Sequence, residues 1–119
     1  MFQIEFFETD DGKRPIGKFL DSLDKKMRAK IVRNLKHLQA NGPNTREPLS
    51  APLGDKLFEL RTQLGNDITR VIYFFYVGHT IVLTHGFVKK TQKTPPSEIS
   101  RAKLYRKMYL ERKEHENNG

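Results

Sequence analysis

Two arginines, Arg61 and Arg70, lie on either side of a predicted hairpin turn at Gly65-Asn66. That turn places Arg61 directly opposite Arg70. Because like charges that face each other across a β-ladder repel, a fold that keeps this pair needs an acid or an anion beside it. Glu59 is two residues from Arg61 on the same face and is one candidate for compensating the pair. The other candidate is a phosphate, since guanidinium groups bind phosphate oxygens in bidentate fashion, and we predict that Arg61 and Arg70 hold one.

A polar, basic segment connects the last predicted strand to the last predicted helix. Its side chains suit an RNA backbone, and they are Lys89, Lys90, Gln92, Lys93 and Thr94. The helix N-terminus near Thr94 also favours anions. The segment could instead be a solvated loop, but the same sheet face carries the arginine pair. We therefore expect the three lysines to add charge to a catalytic site, and Gln92 and Thr94 to bind RNA.

His85 and Phe87 precede this segment on the third hairpin strand. A second turn at Gly78-His79 predicts a register that puts His85 opposite Ile72 and Phe87 opposite Arg70, whereas a slip of one residue would move both to the other face. Histidines and phenylalanines in such positions are more often packed in a core than exposed to a ligand. We keep His85 or a lysine as the candidate general base, and Phe87 as a possible stacking platform.

Few other catalytic motifs are available to this chain. No Ser-His-Asp or Cys-His set, glycine-rich phosphate loop or pair of carboxylates stands out. There is no cysteine, and the four histidines show no metal-ligand spacing, so we expect no metal and no cofactor. RNA suits cationic residues, because its 2′-hydroxyl is a nucleophile that needs only a base, an acid and positive charge over the transition state.

The charge distribution also indicates a polyanionic partner. The 119 residues carry a net charge of +8, and residues 13–40 and 85–113 each hold nine bases and two acids. Such basic segments are typical of nucleic-acid binding, although they can also be solvated helix faces. On the second predicted helix we expect Lys26, Lys30 and Arg33 to bind RNA.

The hydrophobic pattern predicts a small α+β domain with the order β-α-α-β-β-β-α and an antiparallel sheet packed by helices. The first strand covers residues 2–7, Pro15 opens a short helix, and Asp24 caps a second helix that ends at Asn41. After a turn-rich connection over residues 44–55, the strands are Lys56–Leu64, Asp67–Tyr76 and Thr80–Val88, and the last helix runs to about Glu114. One sheet face should pack under the two N-terminal helices, and its residues are Phe58, Leu60, Val71, Tyr73 and Phe75.

We expect one domain over residues 1–114 and a disordered tail over 115–119. The chain has no apolar run long enough to span a membrane, and its N-terminus lacks the pattern of a secretory signal. The absence of cysteine fits a reducing compartment. Together these features predict a cytoplasmic protein that does not bind membranes.

The sequence resembles the RelE/ParE superfamily of type II toxins, in particular its HigB-like, phage-derived branch. The similarity covers nearly the whole chain, and it includes the segments Thr9–Lys13, Ile16–Leu23, Leu57–Arg61, Ile68–Phe74 and His85–Pro95. The resemblance implies a ribosome-dependent endonuclease that cleaves mRNA and is neutralised by a HigA-like helix-turn-helix antitoxin. Its partners would then be mRNA, ribosomal RNA and that antitoxin.

The resemblance also implies roles for individual residues. Arg70 occupies the place of the central-strand arginine that holds the scissile phosphate in RelE-like toxins, and Arg61 matches the arginine that closes the preceding strand. The two strand lysines of those toxins are replaced here by Leu57 and Glu59. Two other functions remain open: a ParE-like protein that poisons DNA gyrase by binding, and a non-catalytic domain that only binds RNA.

Overall fold

The structure is a computed structural model that describes residues 1–118, in which three helices surround a five-stranded sheet. The α+β class is confirmed. The elements are β1 Gln3–Phe6, α1 Pro15–Ser22, α2 Lys25–Asn41, β2 Ser50–Gly54, β3 Leu57–Leu64, β4 Asp67–Tyr76, β5 Thr80–Val88 and α3 Pro96–Asn118, with a short 3-10 turn at Gly42–Asn44.

The sheet differs from the prediction in two ways. Its order is β1-β5-β4-β3-β2, and β1 pairs with β5 in parallel, so the sheet is mixed and not antiparallel throughout. Strand β2 lies inside the segment that was predicted as a turn-rich connection. Pro52 obscured it in the sequence, but a proline is tolerated on an edge strand, and β2 is an edge that pairs only with β3.

The face of the sheet predicted to be apolar packs against α1 and α2. Helix α2 begins as predicted, because the Asp24 side chain accepts a hydrogen bond of 2.9 Å from the backbone N–H of Met27. The resulting core contains buried residues of both layers, which are Ile16, Met27, Ile31, Leu35, Leu38, Leu60, Val71, Tyr73, Ile81 and Leu83. This packing leaves the arginine-bearing face on the other side of the sheet.

Helix α3 packs on that second face and builds a second core, in which Ala102 and Tyr109 are buried against Phe7, Ile72 and Phe74. The helix runs to Asn118, beyond the predicted end at Glu114. Residues 115–118 of the predicted disordered tail are therefore helical, and Gly119 lies outside the described residues. No helix within residues 1–118 has both the length and the apolar character needed to cross a bilayer.

The pairing of β4 with β5 puts His85 opposite Ile72, as predicted, but by a different route. The turn contains three residues, 77–79, because Tyr76 pairs with Thr80. That one-residue shift is reversed by a bulge at Thr84, whose hydroxyl donates a hydrogen bond of 3.1 Å to the Ile72 carbonyl. The two irregularities cancel, and the residues beyond the bulge keep the predicted face.

Candidate nucleic-acid interface

The two arginines of the hairpin share one buried carboxylate. Arg61 pairs with Arg70 across β3 and β4, as predicted. Glu59, which is fully buried, accepts a hydrogen bond from Arg61 Nε at 2.9 Å, and its two oxygens lie 3.2 and 2.9 Å from Arg70 Nη1. The structure thus contains the acid that the sequence offered as one way of compensating the pair. One carboxylate faces two guanidinium groups, so this cluster keeps a net charge of +1.

Arg70 also holds the segment that connects β5 to α3. Its Nη1 donates to the Thr94 hydroxyl at 2.6 Å, and its Nη2 donates to the Gln92 carbonyl at 3.1 Å. Thr94 is buried and donates in turn to Glu59. With only 4% of its side chain exposed, Arg70 is enclosed by protein groups. It does not present an open guanidinium fork to a ligand.

Arg61 is the arginine that faces solvent. About a third of its side chain is exposed (35%), and the Glu47 carboxylate lies 3.6 Å from its Nη1. Glu47 is itself largely exposed, so this surface pair is weak and readily exchanged for another anion. The two arginines of the predicted phosphate clamp are therefore not equivalent, because Arg70 is buried and Arg61 is accessible.

A cleft of about 520 Å³ opens beside Arg61, between α2 and the connecting segment. Its cations come from three parts of the chain, with Lys30 on α2, Arg61 on β3 and Lys89 directly after β5. Arg70 forms part of its floor, and the lining contains no acidic residue among those described. We call this surface the cationic cleft. It suits an anion better than any neutral ligand.

A second cleft of about 440 Å³ lies on the other side of Lys89. We call it the aromatic cleft, because the Phe87 side chain forms part of its wall. Lys90, Lys93 and Glu98 also line it. Arg70 and Lys89 border both clefts, so a single extended ligand could occupy the two together.

His85 lies behind the aromatic cleft and is almost completely buried. Its Nε2 is 3.1 Å from Glu98 Oε1, its Nδ1 is 3.1 Å from the Thr84 hydroxyl, and its ring meets Tyr105 edge-on. Burial lowers the pKa of His85, although the Glu98 carboxylate acts in the opposite direction. Only 3% of the side chain is exposed, so the imidazole does not reach a ligand in either cleft. This arrangement disfavours His85 as a direct general base.

A known protein family matches residues 18–107 of this chain, which is 90 of its 119 residues. The matching family is described as phage-derived protein Gp49-like (DUF891). The chain belongs to this family. Gp49-like proteins are part of the RelE/ParE-like toxin superfamily, so the broader resemblance seen in the sequence is confirmed. A comparison of this Gp49-like chain with curated proteins found no match.

The remaining predicted site residues of this Gp49-like protein are only partly brought together. Lys30 lines the cationic cleft, whereas Lys26 and Arg33 are exposed on α2 outside both cleft linings. Gln92 lines the cationic cleft and contacts Arg70 through its carbonyl. Thr94 is buried against Arg70 and Glu59, so its hydroxyl is occupied by protein and not open to RNA.

Two cleft residues were missed by sequence reasoning. Asn34 lies one turn from Lys30 on α2, faces the cationic cleft and donates to the Thr62 hydroxyl at 2.9 Å. Its spacing of four residues from Lys30 was the available signal. Glu98 had no such signal, because its place depends on how α3 returns to the sheet. Within residues 1–118, no three His, Asp or Glu side chains come together as metal ligands.

Proposed function

We propose that this protein is the toxin of a type II toxin-antitoxin system and acts as a metal-independent, ribosome-dependent mRNA endoribonuclease. The family match is consistent with a toxin of this kind. The observation that supports RNA as its target is the cationic cleft, where Lys30, Arg61 and Lys89 converge from three parts of the chain and no described acid lines the wall.

In the proposed reaction, the RNA strand is cleaved by its own 2′-hydroxyl. The 2′-oxygen attacks the adjacent phosphorus, the bond from phosphorus to the 5′-oxygen breaks, and the products are a 2′,3′-cyclic phosphate and a 5′-hydroxyl. The 2′-hydroxyl loses its proton and the leaving oxygen gains one. Charge on the phosphoryl oxygens grows during attack, and Arg61 with Lys89 would stabilise it. Lys90 and Lys93 would hold the neighbouring backbone.

In this proposal Arg70 acts mainly as a positioning residue. Its contacts with Glu59, Gln92 and Thr94 hold the segment that carries Lys89 beside Arg61. The exposed cations Lys26 and Arg33 would contact ribosomal RNA next to the mRNA. A HigA-like helix-turn-helix antitoxin would neutralise the toxin by covering the basic surface.

A second candidate function is a non-catalytic domain that only binds RNA. The burial of Arg70 and His85 favours it, because two groups that could serve in catalysis are enclosed by protein contacts. Binding would then rest on the exposed cations alone, and translation would be blocked by occupancy of the ribosome without cleavage.

The test is induction of the protein in cells, with and without the antitoxin gene, followed by genome-wide mapping of RNA ends. We expect sharp ends inside coding sequences that disappear when the antitoxin is present. Arg61→Ala should remove them, whereas Arg112→Ala should not. Arg112 is a matched control, since its side chain is 34% exposed and pairs with Asp10 outside both clefts.

The outcomes separate the candidates. Growth arrest without new RNA ends, accompanied by RNA bound to the purified protein, would support the non-catalytic alternative. Growth arrest with DNA damage and no bound RNA would instead indicate a gyrase poison of the ParE kind. Cuts that persist unchanged in Arg61→Ala would contradict the proposed site.

A further inference from the structure

The aromatic cleft differs from the cationic cleft in the chemistry of its wall. Besides Lys89, Lys90 and Lys93, its lining includes the partly exposed Phe87 and one acidic residue, Glu98. A carboxylate repels phosphate, while the face of a phenylalanine ring offers a surface on which a nucleobase can stack. A volume of about 440 Å³ suits a single base with its sugar and lies within the usual range for small-ligand pockets.

Glu98 is held in place and remains partly open to the cleft. Its Oε1 lies 3.1 Å from His85 Nε2 and 3.8 Å from Arg101 Nη1, and 19% of its side chain is exposed. These contacts fix the orientation of the carboxylate before a ligand arrives. An ionised carboxylate accepts hydrogen bonds and donates none, so it selects for N–H groups on the ligand.

We propose that the aromatic cleft is a base-recognition subsite for guanine, in which the base stacks on Phe87 and its N1–H and N2–H groups donate to the Glu98 carboxylate. Guanine is the base that presents two adjacent N–H donors on its Watson–Crick edge. Adenine and cytosine present one amino group beside a ring acceptor, which would face the carboxylate unfavourably. This inference rests on the proposed function and assigns the base specificity of that same site.

The arrangement of the two clefts fits one nucleotide and its phosphate. Lys89 borders both clefts, so a base bound beside Glu98 would place its phosphate near Lys89 and Arg61. Glu98 would then contact the base, while Lys89 and Arg61 contact its phosphate. The subsite consequently predicts a guanine at a fixed position relative to the cut.

The test compares Glu98→Gln with Glu111→Gln, a matched control on the same helix that makes the same change of charge at an exposed position outside both clefts. RNA ends are mapped after induction of each variant. In parallel, the purified proteins are titrated with short 2′-O-methyl oligonucleotides that differ only in one central base. Thermal unfolding of each variant shows whether the domain is folded.

The unaltered protein should bind the guanine oligonucleotide about tenfold more tightly than the other three, which is the discrimination that a bidentate contact gives. Guanine should also be enriched at one position beside the cuts. Both preferences should be lost in Glu98→Gln and retained in Glu111→Gln. Phe87→Leu preserves apolar packing but removes the ring, so it should weaken binding of every oligonucleotide by about tenfold.

The result that overturns the inference is RNA binding or cleavage that shows no preference for guanine, or a preference that survives in a folded Glu98→Gln. If that variant does not fold, unchanged binding by Phe87→Leu overturns it instead. Failure of the proposed function looks different. An unaltered protein that binds the oligonucleotides with a preference for guanine but produces no RNA ends would lack the nuclease activity and keep the subsite, whereas one that does not bind them would lack both.

Discussion

The substitution Arg70→Ala should destabilise the domain as well as remove activity. Arg70 is 3% exposed and Glu59 is fully buried, with oxygen-to-nitrogen distances of 2.9 and 3.2 Å between them. Truncation would leave the Glu59 carboxylate in the protein interior with Arg61 as its remaining cation. It would also remove the donors to Gln92 and Thr94 that fix the connecting segment.

The expected magnitude follows from the cost of an uncompensated buried charge. Removing one partner of a buried ion pair typically costs about 3–5 kcal/mol. Because Arg61 still donates to Glu59 at 2.9 Å, we expect the lower end, about 3 kcal/mol. For a domain of this length that corresponds to a fall in Tm of roughly 10–20 °C. The loss is large beside the roughly 5–15 kcal/mol by which most domains are stable.

The measurement is urea unfolding followed by circular dichroism, with Lys103→Ala as the control. Lys103 is half exposed and lies 3.9 Å from Asp55, so its removal should change stability by less than about 1 kcal/mol. The double variant Glu59→Gln with Arg70→Met removes both charges and should recover part of the loss, while the donors to Gln92 and Thr94 stay missing. If Arg70→Ala alone stayed within about 1 kcal/mol of the unaltered protein, the buried ion pair would not have the role assigned to it.

Three other predictions follow from the described contacts. If RNA occupies the cationic cleft through about three phosphates, the logarithm of the RNA-binding constant should fall with the logarithm of the salt concentration with a slope of about −2. Arg61→Ala should reduce the size of that slope by about 0.7, and fluorescence anisotropy would measure both. Gly86→Ala should lower the free energy of unfolding by about 1–3 kcal/mol, because its new methyl group would overlap the Phe19 ring. Gly17→Ala, with its nearest neighbour at 3.7 Å, should instead stabilise α1 by about 0.5–1 kcal/mol. Similar urea midpoints for both variants would refute this. Burial lowers the pKa of folded His85 below its usual 6.5, so the unfolded chain takes up the proton more readily. The contribution of His85 to stability should therefore be full above about pH 6.5 and decline as the pH falls, and the decline should be less steep in His85→Gln.

Much of the fold could be predicted because it depends on short periodic patterns. The alternation of apolar residues in β3 and β4 determined which face each side chain occupies, and the turn at Gly65-Asn66 determined the register, so the pairing of Arg61 with Arg70 was correctly predicted. The same alternation identified the sheet face of one core, in which Leu60, Val71 and Tyr73 are buried. Both patterns act over a few residues and need no knowledge of the rest of the chain.

The rest of the candidate site depends on contacts between distant parts of the chain. The burial of Arg70 arises because the connecting segment folds back, so that Thr94 meets Glu59 across 35 residues of sequence. The place of Glu98 depends on the path of α3, and β2 was concealed by Pro52 on an edge strand. The three-residue turn before β5 and the bulge within β5 shift the register in opposite directions. The predicted partner of His85 is therefore correct, although the predicted two-residue turn is wrong.

The shared carboxylate also explains how positive charge is distributed over the site. Glu59 carries one negative charge and faces two guanidinium groups. It neutralises mainly Arg70, which contacts both of its oxygens, whereas Arg61 contacts it only through Nε. Charge that is available to a ligand therefore lies on Arg61 of β3, Lys30 of α2 and Lys89 of the segment after β5. Their relative positions are maintained by the contacts of Arg70 with the segment after Lys89. In the proposed function, the buried arginine would therefore affect RNA binding by organising the surface and not by touching the phosphate.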